Sequence, residues 1–209
     1  MDLSVRLRYA EPVMTMPFDA LNDVSDEALL IAFGNGDAAS ARALTMRLTP
    51  KVLGYAARML RDRAEAEDVA QEAMLRLWKI APDWRQGEAK VTTWLYRVVT
   101  NLCTDRLRKA RGTGLDEIAE PEDERPSQEA VLMQRQRLDA LETALASLPD
   151  RQREAVVLRH IEGLGNPEIA EILEISVEAV ESLTARGKRA LAKALASQRK
   201  ILGFEDDGS

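Results

Sequence analysis

Apolar residues recur at intervals of three and four along nearly the whole chain, and no segment alternates apolar and polar residues for long. An α-helix turns once in about 3.6 residues whereas a strand repeats every two, so this spacing predicts helices almost throughout. In residues 38–60 the apolar positions on one helical face are Leu44, Leu48, Val52, Tyr55 and Met59. Pro50 lies inside that stretch, where its missing N–H is expected to kink or break the helix. The predicted fold class is all-α.

One stretch that is nearly free of large apolar residues divides the chain in two. Residues 112–130 are rich in Gly, Pro and acidic side chains, which predicts an acidic flexible linker without a core of its own. We therefore expect two small helical domains, 23–111 and 131–198. The flanking segments 1–22 and 199–209 are expected to be a poorly ordered extension and an acidic tail. An apolar helix face is predicted in the second domain for Val131, Leu138, Leu141, Leu145 and Leu148.

The composition excludes several classes of protein. No run approaches the roughly 18–20 apolar residues of a membrane span, and the N-terminus does not resemble a signal peptide, so we expect a cytoplasmic protein without membrane contact of its own. A single cysteine, Cys103, excludes an internal disulfide, and together with the single histidine, His160, it excludes a metal site built on Cys and His. No Gly-rich phosphate loop is present, and no Ser/His/Asp set is possible beyond His160. We expect no catalytic residue, no metal and no cofactor, and hence no enzyme.

Charge is distributed unevenly, although the net charge at pH 7 is only −6. Residues 86–111 carry six basic side chains against two acidic ones, and residues 181–200 carry six against one. Between them, residues 115–129 carry seven acidic side chains against one arginine. Two basic patches separated by an acidic segment are the feature that any function must explain. Solvated helix faces are the alternative to a binding role for either patch.

The segment GNPEIAEILEISVEAVESL, residues 165–183, predicts a helix-turn-helix. Asn166 is expected to cap the first helix with Pro167 at its first position, while Ser176 caps the second helix. Ile175 should fill the turn. Glu174 occupies the turn position where glycine is common, and a left-handed conformation there would cost about 1 kcal/mol more than for glycine.

The outer face of the second helix carries the polar residues that a recognition helix needs. A helical hairpin without a DNA role is the alternative. The capped helix starts, the tight turn and the basic run that follows favour DNA binding. The face consists of Glu178, Glu181, Ser182, Thr184, Arg186, Lys188 and Arg189.

The segment TTWLYRVVTNLCTDRLRK, residues 92–109, predicts a helix with apolar residues around most of its circumference. Trp94 and Tyr96 are among four aromatic residues that fall within residues 78–96 of a chain containing nine. Aromatic rings at helical spacing usually belong to a core, so we expect them to support this helix rather than contact a ligand. The remaining polar stripe consists of Thr93, Arg97, Thr100, Asn101, Thr104 and Arg108.

Three motifs in this order resemble a bacterial RNA polymerase sigma factor of the extracytoplasmic-function (ECF) class of the sigma-70 family. They are EAEDVAQEAMLRLW (residues 65–78), the 92–109 helix and the helix-turn-helix, and the resemblance covers about Ser25 to Leu195. It implies an adaptor that gives RNA polymerase its choice of promoter, without catalysis of its own. A polar face that docks on core RNA polymerase is implied for Asp68, Gln71, Glu72 and Arg76. A solvated polar face is the alternative.

The resemblance also implies two DNA-reading surfaces. The second domain would read the −35 element through the recognition face given above. The 92–109 helix and the loop before it would read the −10 element and capture a flipped base; relatives often carry an aromatic residue near Val91. The implied −10 residues are Lys90, Val91, Thr93, Arg97, Thr100, Asn101, Thr104 and Arg108.

The implied partners are core RNA polymerase, promoter DNA and an anti-sigma factor, in a stress-responsive role. The acidic linker is implied to thread through polymerase toward its active-site and RNA-exit channels, with a soluble tether as the alternative. A two-domain helix-turn-helix regulator that acts without joining polymerase remains open. That alternative leaves the motif in residues 65–78 unexplained.

Overall fold

The computed structural model describes residues 21–85, 87, 90–113 and 129–196, except for the side chains of residues 112–113 and 129–135. These ranges form eight α-helices and a short 3-10 turn, Ala81–Asp83, and contain no strand, so the all-α prediction is confirmed. No helix in these ranges is long and apolar enough to cross a membrane. Most of the predicted linker and of both terminal segments lies outside the described residues. The helices are α1 (Asp26–Gly34), α2 (Ala38–Leu60), α3 (Arg63–Ile80), α4 (Val91–Thr113), α5 (Glu129–Ala146), α6 (Asp150–His160), α7 (Asn166–Leu173) and α8 (Val177–Ala196).

Capping side chains set where the first three helices begin. Ser25 accepts a hydrogen bond from the N–H of Ala28 at 3.2 Å, as its position before an apolar run predicts. Asp37 and Asp62 accept from N–H groups in the first turns of α2 and α3 in the same way. Each cap satisfies a backbone donor that the helix itself leaves without a partner.

Helix α2 continues through Pro50, so of the expected kink or break the break does not occur. Proline at this position removes the hydrogen bond to the carbonyl of Met46, four residues earlier. Met46 is 59% exposed and Pro50 is exposed too, so water can satisfy that carbonyl on the outer side. On the inner side Leu48 and Val52 are buried. Packing of this face holds the helix together across the proline.

The first half of the molecule is a bundle in which α2, α3 and α4 pack against one another. The rings of Tyr55 and Tyr96 meet edge to face with their centroids 5.5 Å apart, and those of Trp84 and Trp94 do so at 6.2 Å. The Tyr55 hydroxyl shares a hydrogen bond of 2.9 Å with Thr100 Oγ1. The prediction that the rings support α4 from within the core is confirmed.

The second half packs α8 against α6 and α7. Leu145 and Leu148 of the predicted apolar face are buried, but Leu138 is 54% exposed, so the prediction was wrong at that position. Gly187 of α8 lies so close to α6 that a Cβ there would stand 2.6 Å from Val156 Cγ2. Absence of a side chain at Gly187 is therefore what allows this close crossing.

The two halves pack on each other rather than standing apart. Helix α4 of the first half lies against α7 of the second, and α2 contacts α5 and α6. The buried apolar residues of both halves form one continuous cluster. This contact decides which polar surfaces remain accessible.

Candidate nucleic-acid interface

Helices α7 and α8 with the turn between them form the predicted helix-turn-helix. Gly165, not Asn166, is the N-cap of α7, and the Glu168 carboxylate accepts from the N–H of Gly165 at 2.8 Å. The cap prediction was therefore one residue late, because a glutamate three residues into the helix reaches back to that donor and Asn166 is not needed. Ser176 caps α8 as predicted, accepting from the N–H of Ala179 at 3.2 Å.

The turn places Glu174 in the left-handed conformation, with φ 55° and ψ 46°. The strain anticipated for a non-glycine residue at this position is thus present and tolerated. The N–H of Ile175 donates to the carbonyl of Ala170 at 3.1 Å, and the Ile175 side chain packs against the core. These contacts hold Glu174 in a backbone conformation that a residue with a side chain does not favour.

Six of the seven residues of the predicted recognition face are exposed. Thr184 is half-buried and its hydroxyl oxygen is buried, so the expectation that it faces outward was wrong. The opposite side of α8 is buried through Val180 and Gly187, which holds the helix with this face outward. The Glu178 pKa is lowered by hydrogen bonds from its own backbone N–H and from Ser176. Arg186 Nε donates to the carbonyl of Ser182 at 3.2 Å, so the guanidinium lies along the helix surface. The face is basic at its C-terminal part and acidic at its N-terminal part.

The polar face of α3 is also accessible. Asp68, Gln71 and Arg76 are exposed and Glu72 is half-buried, while the apolar residues between them face the core. Arg76 Nη2 donates to Glu72 Oε1 at 2.5 Å, and Arg106 Nη2 of α4 lies 3.9 Å from the other oxygen of Glu72. One carboxylate of the predicted polymerase-binding set is therefore already paired within the molecule.

An apolar groove of about 300 Å³ adjoins this face, between α2 and α3. Gln71 belongs both to the groove and to the polar face. Leu75, which also lines the groove, is 59% exposed. The groove was not predicted, although an apolar residue on the polar side of α3 was a visible signal for it. It is lined by Thr49, Leu53, Glu67, Ala70, Gln71, Met74, Leu75 and Trp78.

The predicted stripe on α4 is only partly accessible. Asn101, Thr104 and Arg108 are exposed, and Arg97 is half-buried. Thr93 and Thr100 are each 2% exposed, so the expectation that they face outward was wrong. The core accepts the Thr100 hydroxyl because the Tyr55 hydroxyl gives it a partner.

The loop before α4 and the first residue of α4 likewise include one exposed and one buried residue of the predicted set. Lys90 is exposed, whereas Val91 is fully buried. The N–H of Val91 donates to Glu27 Oε1 of α1 at 3.0 Å, which fixes the start of α4. Lys90 is therefore accessible at this loop and the Val91 side chain is not.

Lys90 of the loop and Arg97 of the stripe are in contact with the second half. Lys90 Nζ lies 2.6 Å from Glu168 Oε1, and Arg97 Nε donates to the backbone carbonyl of Glu171 at 3.0 Å. The hydrogen bond with Glu168 raises the pKa of Lys90, and the same bond lowers the pKa of Glu168. These partners were not predicted, since nothing in the local pattern points to a residue more than seventy positions away.

Two family models match the chain. Sigma-70 region 2 matches residues 44–113, which hold α3, α4 and most of α2. Sigma-70 region 4 matches residues 138–191, which hold α6, α7 and most of α8. The two matched regions therefore contain both predicted DNA-reading helices and the polar face of α3.

Several whole proteins are similar to this chain in sequence or structure over most of their length. The ECF RNA polymerase sigma factor SigW of Bacillus subtilis is 35% identical over 156 residues, covering 69% of this chain and 83% of the relative. The structure of CnrH in complex with the cytosolic domain of CnrY has a TM-score of 0.62 at 25% identity, covering 82% of this chain and 97% of CnrH. The sigma factor RpoE of Bartonella quintana, solved with the anti-sigma factor NepR, has the same TM-score at 22% identity, with coverages of 74% and 96%. Because a relative of this identity is matched over most of its length, and both regions occur in the order of the helices, the chain belongs to the ECF class of the sigma-70 family of RNA polymerase sigma factors.

Proposed function

We propose that this chain binds core RNA polymerase and directs promoter-specific initiation by reading the −10 and −35 elements. The observation that carries the proposal is a helix-turn-helix whose charged recognition residues are all exposed, on the same chain as a largely exposed polar face of α3. The protein would act by binding rather than by catalysis, in the cytoplasm where polymerase and DNA are found.

The −35 element would be read by α8. Arg186, Lys188 and Arg189 are exposed cations that can neutralise DNA phosphates. Glu178, Glu181 and Ser182 lie on the N-terminal part of the same face, where a helix in the major groove reaches base edges. A glutamate can accept from N4 of cytosine, which favours cytosine-containing sites over others.

The −10 element would be read by α4. Asn101 is exposed and can form hydrogen bonds with a base edge, while Arg97 and Arg108 can hold phosphates. Lys90 adds a cation at the loop where a flipped base would be held. The buried Val91, Thr93 and Thr100 would support this surface from below rather than touch DNA.

Polymerase would dock on the α3 face formed by Asp68, Gln71, Glu72 and Arg76. Acidic and amide groups on an exposed helix can meet a basic partner surface. The adjoining groove offers apolar area to the same partner. We also propose control by an anti-sigma factor, supported by the partner protein bound to RpoE in the structure that shares this fold.

The proposal is tested by adding the purified chain to core RNA polymerase on genomic DNA and sequencing the transcripts. Defined start sites that depend on the chain are expected. If the chain does not associate with core polymerase in a pull-down, it is a regulator of another kind. Gln71→Ala should weaken that association, whereas Arg63→Ala, an exposed change elsewhere on α3, should not.

The −10 assignment is tested in the assembled holoenzyme. Asn101→Ala and Lys90→Ala should each slow formation of the open complex, because each removes a contact to the melted strand. Association with core polymerase should be unchanged, since neither residue lies on α3. Promoter opening at the normal rate by both variants would remove them from the −10 surface.

A further inference from the structure

Asn166 is a polar residue at the start of the helix-turn-helix that the helix cap does not explain. Gly165 and Glu168 form the cap of α7, so the Asn166 amide is not needed there. Asn166 Nδ2 instead donates to Glu181 Oε1 of α8 at 3.4 Å. The two residues are fifteen positions apart in the chain, and the turn of the motif brings them together. The first helix of the motif therefore holds a side chain of the recognition face.

The Glu181 carboxylate keeps acceptor positions for a ligand while Asn166 holds it. A carboxylate accepts hydrogen bonds at about four lone-pair positions on its two oxygens, and Asn166 occupies one position on Oε1. Glu181 is exposed on the outer face of α8. Its carboxylate can thus accept from a donor in a DNA groove without leaving Asn166.

The other glutamate of the recognition face is held differently. Glu178 accepts hydrogen bonds from its own backbone N–H and from the Ser176 hydroxyl, and both lower the pKa of its carboxyl. These donors belong to the start of α8 itself, so Glu178 is drawn toward its own helix. Glu181 is held by a donor on α7. Of the two carboxylates, Glu181 is the one that the motif as a whole orients.

The residues around Glu181 limit which base the start of α8 can read. Residues 177–184 contain no lysine, arginine, asparagine or glutamine, the side chains that usually pair with guanine or adenine. A carboxylate repels the acceptors that guanine and thymine present in the major groove, and adenine has an acceptor, N7, beside its N6 donor. Cytosine presents only its N4 donor. It is therefore the base that suits Glu181 best.

We propose that Glu181 selects a cytosine in the −35 element by accepting a hydrogen bond from N4, and that Asn166 is the positioning residue that orients Glu181 for this contact. The inference rests on the proposed reading of the −35 element by α8, and it adds which base is read and which residues read it. Asn166 acts before DNA arrives. A side chain that is already held loses less conformational freedom on binding.

The test uses the full chain assembled with core RNA polymerase and a promoter that this holoenzyme transcribes. The bases of the −35 element are replaced by a random mixture, and the duplexes that the holoenzyme retains are sequenced. We expect the wild-type chain to prefer cytosine roughly tenfold at the position that Glu181 reads, because a wrong base pair at a contacted position typically weakens binding by about that factor or more.

Glu181→Gln identifies the position that Glu181 reads. Glutamine presents a donor and an acceptor that match N6 and N7 of adenine, so the preferred base at one position should change from cytosine to adenine. Glu142→Gln removes the same charge from an exposed position on α5 and should leave the preferred sequence unchanged. If Glu181→Gln alters no position, or alters one where cytosine was not preferred, the inference is overturned.

Asn166→Ala tests the positioning role. The preference for cytosine at the position identified with Glu181→Gln should fall about threefold, because a free Glu181 side chain loses more conformational freedom on binding. In a Glu181→Ala chain the same substitution should leave the base preference unchanged, since Asn166 acts through Glu181. Circular dichroism should show unchanged helicity, because Gly165 caps α7. If Asn166→Ala weakens the binding of all sequences equally, Asn166 contacts a phosphate and its positioning role is overturned.

Failure of the proposed function gives a different result from failure of this inference. If the retained duplexes show no preferred base anywhere in the −35 element, α8 does not read that element, and the inference fails with the proposed function. A clear preference that Glu181→Gln leaves intact overturns the inference alone.

Discussion

At the scale of single residues, Glu174 is where the sequence and the backbone disagree most. Its left-handed conformation costs about 1–2 kcal/mol for an ordinary residue, whereas glycine adopts it freely. Glycine also makes the unfolded chain more flexible, which opposes part of the gain. We expect Glu174→Gly to stabilise the fold by up to about 1 kcal/mol, raising Tm by about 2–4 °C in a chain of this size.

Thermal unfolding, monitored by circular dichroism, measures the change in Tm caused by Glu174→Gly, with Glu142→Gly as the control. Glu142 is an exposed residue of the right-handed helix α5, where glycine should lower stability by about 1 kcal/mol. A loss of stability at both positions would show that the turn does not strain the backbone.

Glu154 is a buried carboxyl group whose charge opposes folding. It is 4% exposed, and burial raises the pKa of its carboxyl above the ordinary 4.5 despite the nearby Arg151 and Thr104. The native state therefore binds this proton more readily than the unfolded chain. Its stabilising contribution is complete below the ordinary pKa and is lost as pH rises through the native value.

Glu154→Gln should consequently raise Tm at neutral and alkaline pH, and the difference should shrink toward acidic pH. Glutamine is neutral throughout, and its oxygen can still accept from Thr104 or Arg151. The measurement is a series of thermal melts across pH, with Glu142→Gln as the exposed control. If the difference in Tm between Glu154→Gln and the wild type does not vary with pH, Glu154 is uncharged or well solvated in the folded chain.

At the scale of helices, the approach of α8 to α6 depends on Gly187. A Cβ there would stand 2.6 Å from Val156 Cγ2 and 3.1 Å from the carbonyl oxygen of Gln152. Overpacking of this kind costs about 1–3 kcal/mol, more than the roughly 1 kcal/mol that alanine gains over glycine in a helix. We expect Gly187→Ala to lower stability by up to about 2 kcal/mol, measured by urea unfolding.

Gly54→Ala in α2 is the matched control for the α8 crossing. The nearest atom to its added Cβ is Arg58 Nη1 at 3.1 Å, the end of a flexible side chain. At this position the preference of alanine over glycine in a helix should outweigh the contact with Arg58. The stability of Gly54→Ala should therefore be equal to or slightly higher than that of the wild type. If both variants gained stability, the α6–α8 contact would be looser than the distances indicate.

The helices themselves were largely predictable because each is determined by residues three and four apart. The caps by Ser25 and Ser176 and the inward rings of α4 follow from that local pattern. Errors arose where a distant group decided the outcome. Thr100 is buried because Tyr55, forty-five residues earlier, supplies its partner.

At the scale of the whole molecule, the sequence predicted two halves and their order but not the contact between them. That contact joins Lys90 to Glu168 and Tyr96 to Glu162, and neither pair is marked by any periodicity. The candidate surfaces on α3 and α8 follow from single helices and were predicted residue by residue. The accessibility of the α4 surface depends on packing between distant segments. It could therefore not be predicted from the sequence.

The accessible recognition face makes a prediction about how the free chain responds to salt. Counterions released by each phosphate contact contribute a slope of about −0.9 to the logarithm of the binding constant against the logarithm of salt concentration. Arg186 and Lys188 are exposed on α8 and assigned to phosphates, so Arg186→Ala and Lys188→Ala should each flatten that slope by about one.

Fluorescence anisotropy with duplex DNA at several salt concentrations measures this slope. Arg63→Ala removes a cation that is 90% exposed on α3 and should leave the slope unchanged, because polymerase rather than DNA is expected at that helix. If Arg186→Ala and Lys188→Ala leave the slope intact, the phosphates lie elsewhere and α8 does not enter DNA in the orientation assigned to it.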